Sequence, residues 1–207
     1  MIDQAATSKT KRRYDRMAWL FDAMERPIES RRFAGWRKRL TERLEGPRVL
    51  EIGVGTGKNM PYYPAGLEIT AIDLSPRMLA KAREKAARLN LAVDLREMDV
   101  QALDFPDHAF DTVFAAFVFC SVPDPVLGMS ELRRVVRPGG RLLLLEHMRP
   151  DRKWAGFFFD VFNPLIVRLM GANINRRTMD NIRAAGWQVE VEEHLSSDVV
   201  RLIQARP

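Results

Sequence analysis

The run Val49-Leu50-Glu51-Ile52-Gly53-Val54-Gly55-Thr56-Gly57 puts a short apolar strand, a terminal acid and three alternating glycines into nine residues. Glycines take positive φ and let a backbone approach a ligand closely. The amides of a following helix start offer donors to anionic groups. In a doubly wound sheet such a turn lies at the carboxyl end of a strand, where ligands bind. A dinucleotide loop wants G-x-G-x-x-G, but counting from Gly53 the third glycine comes one residue early, and counting from Gly55 the required position is Met60. A P-loop fails too: Gly53 to Gly57 is one residue short, and Asn59 follows Lys58 where Ser or Thr should meet magnesium. A tight turn holding no ligand would explain the glycines alone.

Outward from this turn, short apolar runs alternate with helical periodicity. Strands are expected at residues 48–52, 67–74, 92–98, 110–119 and 141–147, with a closing hairpin at 188–194 and 199–205. Between them lie a short helix at 58–63, one at 76–90 opened by Ser75-Pro76 as N-cap and first helical residue, one at 125–136 ended by Pro138-Gly139-Gly140, and one at 176–185 closed by Gly186. Residues 110–119 are apolar nearly throughout, as befits a central parallel strand covered on both faces. The alternation predicts a Rossmann-like, doubly wound, mostly parallel seven-stranded α/β sheet with an antiparallel C-terminal hairpin.

The first 45 residues have a different texture. Residues 1–9 are expected to be disordered. Tyr14, Met17, Phe21, Met24 and Ile28 recur at helical spacing over residues 11–25, and Pro27 interrupts the pattern. Phe33, Trp36, Leu40 and Leu44 share one face of a second helix, stopped by Gly46-Pro47. Residues 1–45 are therefore read as a helical cap belonging to the same domain as residues 46–207. The net charge of +6 lies wholly in residues 1–50, which hold 13 Lys/Arg against 7 Asp/Glu, while the remainder holds 20 of each. Such asymmetry suits either a solvated helix face or a surface for anionic lipid or nucleic acid.

With 207 residues, 46% of them hydrophobic and 29% charged, the chain can bury a core without staples. One cysteine, Cys120, excludes an internal disulfide framework and a cysteine-rich zinc site. Three scattered histidines support no metal site. The N-terminus does not read as a signal peptide, and no run approaches the roughly 18 apolar residues of a membrane span. A cytoplasmic protein, peripheral to the membrane if the basic cap touches anionic lipid through residues 10–45, is expected.

Two further acids extend the first motif. Asp73 ends the second strand 20 residues after Gly53, where a carboxylate can accept both hydroxyls of a ribose. Asp99 ends the third, where it can accept from an adenine amino group while the Val100 amide donates to the ring. Taken as a set, Glu51-x-Gly53-x-Gly55-x-Gly57, Asp73-Leu74-Ser75-Pro76-x-Met78, Asp99-x-x-x-Leu103-x-Phe105-Pro106, Phe110-Asp111 and Arg137-Pro138-Gly139-Gly140 resemble the class I S-adenosylmethionine-dependent methyltransferases over residues 48–148. The likeness is greatest to the branch that holds the ubiquinone/menaquinone-biosynthesis C-methyltransferases. It implies that Glu51, Gly53, Gly55 and Gly57 hold the methionine part of S-adenosylmethionine, Asp73 its ribose and Asp99 its adenine. Leu74 and Met78 would sandwich the ring, with Val100 and Phe117 completing the cofactor wall and S-adenosylhomocysteine leaving as product.

Tyr14-Asp15-x-x-Ala18-x-x-Phe21-Asp22 resembles the N-terminal cap of the same branch, with Phe21 where a second tyrosine is usual, and so places Tyr14 near the sulfonium. Phe119-Cys120-Ser121-Val122, Glu146-His147 and Gly171-Ala172-Asn173-Ile174-Asn175-Arg176-x-Thr178 are similar to the methyltransferase-like thiol methyltransferases, and more broadly to bacterial phospholipid N-methyltransferases. The thiol enzymes carry an apolar N-terminal anchor, where this chain has a basic amphipathic segment. Methyl transfer needs alignment and exclusion of water more than acid–base help, and a base only where the nucleophile has a proton to lose. His147, beside Glu146 at a strand end, is the candidate base, with Tyr14 the second catalytic candidate. Phe119, Cys120, Phe157 and Phe158 are read as lining an apolar acceptor pocket. The acceptor is then a small apolar or lipid-like molecule, such as a quinone precursor, thiol or phospholipid amine. The alternative is an RNA methyltransferase using the basic N-terminal helices and aromatics such as Trp19 and Trp36. No recognised RNA-binding module is present, and nucleic acid is not the expected partner.

Overall fold

The computed structural model describes residues 2–25 and 31–207. Pro27 and Ile28, and the side chains of Trp19, Phe21 and Met24, lie outside the described part. Seven strands form one sheet in the order β3-β2-β1-β4-β5-β7-β6: β1 Arg48–Ile52, β2 Glu68–Asp73, β3 Val93–Glu97, β4 Phe110–Ala116, β5 Val136–His147, β6 Gln188–Ser196 and β7 Val200–Arg206. β1 to β5 are parallel, and β7 runs antiparallel between β5 and β6. The chain builds outward from β1 to β3 and then returns to place β4 against the other side of β1. That reversal opens a crevice between diverging connections at the carboxyl ends of β1 and β4.

Residue parity divides the core. Leu50, Ile52, Val113, Ala115, Leu142 and Leu144 face Met129 and Leu132 of α4 (Pro125–Val135) and Ile182 of α6 (Thr178–Ala184). Val49, Phe114, Leu143 and Leu145 face Leu40 of α2 (Arg31–Thr41), with Leu44 just beyond it. Four consecutive leucines, 142–145, are fully buried because β5 is covered on both sides. The edge strand β3 instead alternates, leaving Asp94 and Arg96 outside. α3 (Pro76–Leu89) starts as anticipated: Ser75 Oγ accepts the Met78 amide at 3.1 Å, and Asn90 in the left-handed region ends the helix.

Several local expectations are corrected. Residues 1–9 were expected to be disordered, but α1 runs Gln4–Glu25, and Asp3 Oδ1 caps it by accepting the Ala5 and Ala6 amides at 3.0 Å. In place of a helix at 58–63 there is a single 3-10 turn, Met60–Tyr62, with Pro61 inside it. β4 stops at Ala116 rather than 119, because Phe117 adopts φ +60° and turns the chain away. Pro138-Gly139-Gly140 does not separate helix from strand but lies within β5, where the register against β4 shifts. A Cβ on Gly140 would stand 2.6 Å from the Asp111 carbonyl, so only glycine lets the strands meet there. The segment after β5 is a helix, α5 (Lys153–Met170). Among the described residues no helix is long and apolar enough to cross a membrane.

Leu144 is fully buried in β5, at the centre of this packing. Leu144→Ala is expected to cost about 2–5 kcal/mol, read as a lowered urea midpoint at unchanged slope.

Candidate active site

The β1 turn leaves the sheet through Gly53 and Gly55, at φ +61° and +55°. A Cβ on Gly53 would stand 2.6 Å from Val118, so the turn and the loop after β4 pack too closely for any side chain. Asp73, one strand over, holds the turn in place: its Oδ2 accepts the Gly55 amide and its Oδ1 the Ser75 amide, both at 2.8 Å. Burial raises the Asp73 carboxyl to about 6, against the opposing pull of these amides. At the end of β3, Asp99 Oδ1 accepts the Gln101 amide at 2.9 Å, and the Thr7 hydroxyl of α1 donates to Oδ2 at 3.3 Å. Asp73 and Asp99 line one cavity together with Gly53 and Gly55. Leu74, Met78 and Val100 form apolar wall between them.

Glu51 and Gly57 are not part of that wall. Glu51 is 1% exposed and sits behind it, where its carboxylate accepts the Asn59 side-chain amide at 2.7 Å and the Tyr63 hydroxyl. Burial lifts its carboxyl to about 7, although both hydrogen bonds pull the other way. Asn59 does line the cavity, and its Oδ1 accepts from Arg37 Nη1 at 2.9 Å. Arg37 lies 5.5 Å from the centroid of the Phe117 ring and faces the same space. A Cβ on Gly57 would meet Met60 Sδ at 2.6 Å, which gives that glycine a packing role. Burial sets Arg37 apart from Arg32, Lys38 and Arg39 of the same helix, which are exposed.

Ala116, Phe117, Val118, Val122 and Pro123 also line the cavity. Phe117 therefore stands in the wall, as read from the sequence. Phe119 and Cys120 do not: Phe119 packs in the core and Cys120 is buried, its thiol pushed far up by burial. Phe157 and Phe158 are displaced furthest from expectation. They lie on α5 at 62% and 52% exposure, pointing to solvent rather than into the cavity. A phenylalanine run does not reveal which way its helix faces.

His147 ends β5 but does not line the cavity. Its ring stacks on Phe117 with centroids 6.2 Å apart, and its Nε2 is buried without a hydrogen-bond partner. Burial lowers its pKa, so the imidazole is neutral at physiological pH. Tyr14 does line the cavity, hydrogen-bonded to the Ser121 side chain, and burial raises its hydroxyl far above the ordinary value. Glu146 has the role that sequence reasoning missed. Its Oε1 accepts the Val118 and Phe119 amides at 2.8 and 3.0 Å, fixing the loop whose Val118 crowds Gly53. Acid-then-histidine at a strand end drew attention to the histidine, whereas the acid is the residue tied to the site.

α1 closes one side of the mouth. Thr10 and Tyr14 line the cavity, Lys11 pairs with Glu97, and the Ser75 hydroxyl donates to Asp15 at 2.6 Å. Several cap cations are engaged within the molecule: besides Lys11, Arg39 and Arg43 both pair with Glu193. Among the described residues no group of three or more potential ligands gathers for a metal ion.

Comparison with known proteins accords with this arrangement. Residues 50–144 match a methyltransferase domain model. A phosphatidylethanolamine N-methyltransferase of Cereibacter sphaeroides is 47% identical over 52% of this chain, which spans about half (54%) of that relative. A demethylmenaquinone methyltransferase of Thermus thermophilus is 33% identical over 78% of this chain and 76% of that one. In fold, the chain is similar to a geranyl diphosphate C-methyltransferase of Streptomyces coelicolor, solved with S-adenosylhomocysteine (TM-score 0.69, 16% identity, 84% and 80% of the two chains). It is equally similar to the cyclase SpnF (TM-score 0.70, 21% identity, 84% and 79%). The sheet by itself therefore does not choose the chemistry.

Glu146 carries a testable signature, its carboxyl being raised by burial from 4.5 to about 7. The folded form keeps its proton to a higher pH than the unfolded form, so the stability contributed here falls as pH rises from about 4.5 to about 7 and is level above. Glu146→Gln, which retains an acceptor for both amides, should flatten that part of the stability–pH profile. Glu146→Leu, which leaves both amides without their acceptor, should cost on the order of 2 kcal/mol at pH 6. Chemical denaturation of the three proteins across pH 5–8 reads both outcomes.

Proposed function

The chain belongs to the S-adenosylmethionine-dependent methyltransferases, and from that premise we propose that it methylates a small apolar or lipid-like acceptor held between Tyr14 and the loop after β4. The carrying observation is the polarity of the cavity. Two carboxylates, two positive-φ glycines, Asn59, Lys58 and Arg37 share its wall with the apolar side chains of Leu74, Met78, Val100, Phe117, Val118 and Val122.

The donor set fits the cofactor. Asp73 suits ribose hydroxyls, Asp99 an adenine amino group, and Leu74, Met78 and Val100 the faces and edge of the ring. Arg37 and the Gly53–Gly55 turn would hold the amino-acid part, Arg37 by charge attraction to a carboxylate. Glu51 acts one step removed, by fixing Asn59. S-adenosylmethionine supplies a methyl carbon made electrophilic by a sulfonium. Phe117, Val118 and Val122 would exclude water from the line of displacement. Tyr14, its hydroxyl held protonated by burial, would orient the acceptor rather than take a proton. His147, behind Phe117, would not act as base. The reaction then favours acceptors that need little base help, such as a neutral amine or a ready thiolate.

The acceptors named for relatives, a phosphatidylethanolamine amine and a demethylmenaquinone, belong to this apolar class. The intramolecular pairing of Lys11, Arg39 and Arg43 favours it over RNA. The protein would work in the cytoplasm, at or near a membrane surface.

Calorimetry with S-adenosylhomocysteine should show binding that Asp73→Ala weakens at least about tenfold, roughly the loss of one charge-assisted hydrogen bond. A general base contributes roughly 10²–10⁴-fold, so His147→Gln should change turnover by less than about tenfold. Tyr14→Phe should lower it more. Incubation with methyl-labelled donor and thiols, phenols, quinols or phosphatidylethanolamine identifies the acceptor. Label passing to RNA and to none of these would reject the reading.

A further inference from the structure

α5 leaves a long apolar stripe open on the surface. Trp154, Phe158, Val161, Leu165 and Leu169 run along its outer face, each more than half exposed. Phe157 and Phe162 widen the stripe to either side and are equally open. Two polar residues, half-buried Asn163 and exposed Asp160, tie the helix to neighbouring segments. Asn163 Oδ1 accepts the Ile174 amide at 2.9 Å, and Asp160 pairs with Arg149 at 2.9 Å and accepts from Asn175 at 3.1 Å. A surface helix ordinarily buries its apolar stripe and shows its polar one. Here Asn163 and Asp160 tie the helix to the protein, and a continuous apolar face is left to be covered by something else.

The charges indicate what covers it. The helix's one acid, Asp160, is held by Arg149. Its cations, Lys153 in the first turn and Arg168 in the last, are exposed, and Arg152 before them is exposed and pairs with Asp198 at 3.6 Å. A cation in a first turn opposes the helix dipole, so Lys153 does not stabilise the end at which it stands. A second copy of this face is a poor match. Parallel pairing sets Lys153 on Lys153 and Arg168 on Arg168, and antiparallel pairing sets Lys153 near Arg168. An anionic bilayer satisfies both features, because long basic side chains reach headgroups while the stripe enters the acyl boundary.

We propose that α5 is an interfacial helix that seats the protein on an anionic lipid surface. Its 18 residues lie along that surface rather than across it. The helix ends beside the active site. Arg13 of α1 packs over Gly171, the left-handed residue that caps α5. A second cavity between α1 and residues 171–176 shares Thr10, Ser121 and Pro123 with the wall of the first. The seated protein thus holds its cleft mouth near the headgroup layer. This docking stands independently of which acceptor is methylated.

Co-sedimentation of the full chain with phosphatidylglycerol/phosphatidylcholine vesicles, against phosphatidylcholine alone, tests it. The parent should pellet with the anionic vesicles, and the combined variant Trp154→Ser, Val161→Ser and Leu165→Ser should lose at least about tenfold in partitioning. Lys153→Gln with Arg168→Gln should lose the preference for anionic lipid. Each variant should bind S-adenosylhomocysteine as the parent does, which shows that it is folded. A parent that stays in the supernatant, or a triple-serine variant that pellets equally well, overturns the proposal. So does a parent dimer in sedimentation velocity that the triple-serine change converts to monomer, since the face would then belong to a second copy. Failure of methyl transfer to every small acceptor would overturn the functional reading and leave vesicle binding untouched.

Discussion

Asp73 accepts the Gly55 amide with one oxygen and the Ser75 amide with the other. That double contact joins the turn after β1 to the start of α3. Without it the two positive-φ glycines would have many conformations open to them, because glycine restricts its own backbone least. The turn is fixed from the opposite side by Val118, which leaves no room for a Cβ on Gly53. Val118 is in turn fixed through its amide by Glu146. The cleft is therefore a loop held between two carboxylates, half-buried Asp73 and fully buried Glu146, that belong to strands on either side of β1 and β4.

The use of acids as internal fasteners has a cost. Glu51, Asp73 and Glu146 all have raised pKa values, and burial is the largest cause in each case. A buried carboxylate is tolerated where amides and hydroxyls replace its lost water. Glu51 has Asn59 and Tyr63, Asp73 has two backbone amides, and Glu146 has two amides on one oxygen and none on Oε2. This arrangement trades stability for a preformed site, which suits a reaction that depends on alignment more than on proton transfer.

Two helices give the site its surroundings, and they do so in opposite senses. α1 reaches over the strand ends with hydrogen bonds to Asp99 and from Ser75. It binds through polar contacts at the mouth of the cleft. α5 is tied down by Asn163 and Asp160 and offers an apolar face outward. Both meet at Arg13 and Gly171, so the polar lid and the apolar face border the same opening.

Much of this was legible in the chain itself. Alternating apolar strands and helical stretches, Ser75-Pro76 as a helix start and the spacing of Gly53, Gly55, Asp73 and Asp99 carried the sheet and the acids at its strand ends, because those signals are local in sequence and set by backbone stereochemistry. The sequence could not say which acids face the cavity. Glu51 and Asp73 both end strands beside one turn, yet Glu51 is turned behind the wall to hold Asn59 while Asp73 lines it. Nor could it rank Glu146 above His147, single out Arg37 among the cap's cations, or orient the aromatic stripe of α5. A periodic pattern specifies that a helix has an apolar side, and only the contacts of Asp160 and Asn163 with neighbouring segments decide that this side faces out. Facing and burial arise from contacts between distant segments, and those exist only once the chain has folded.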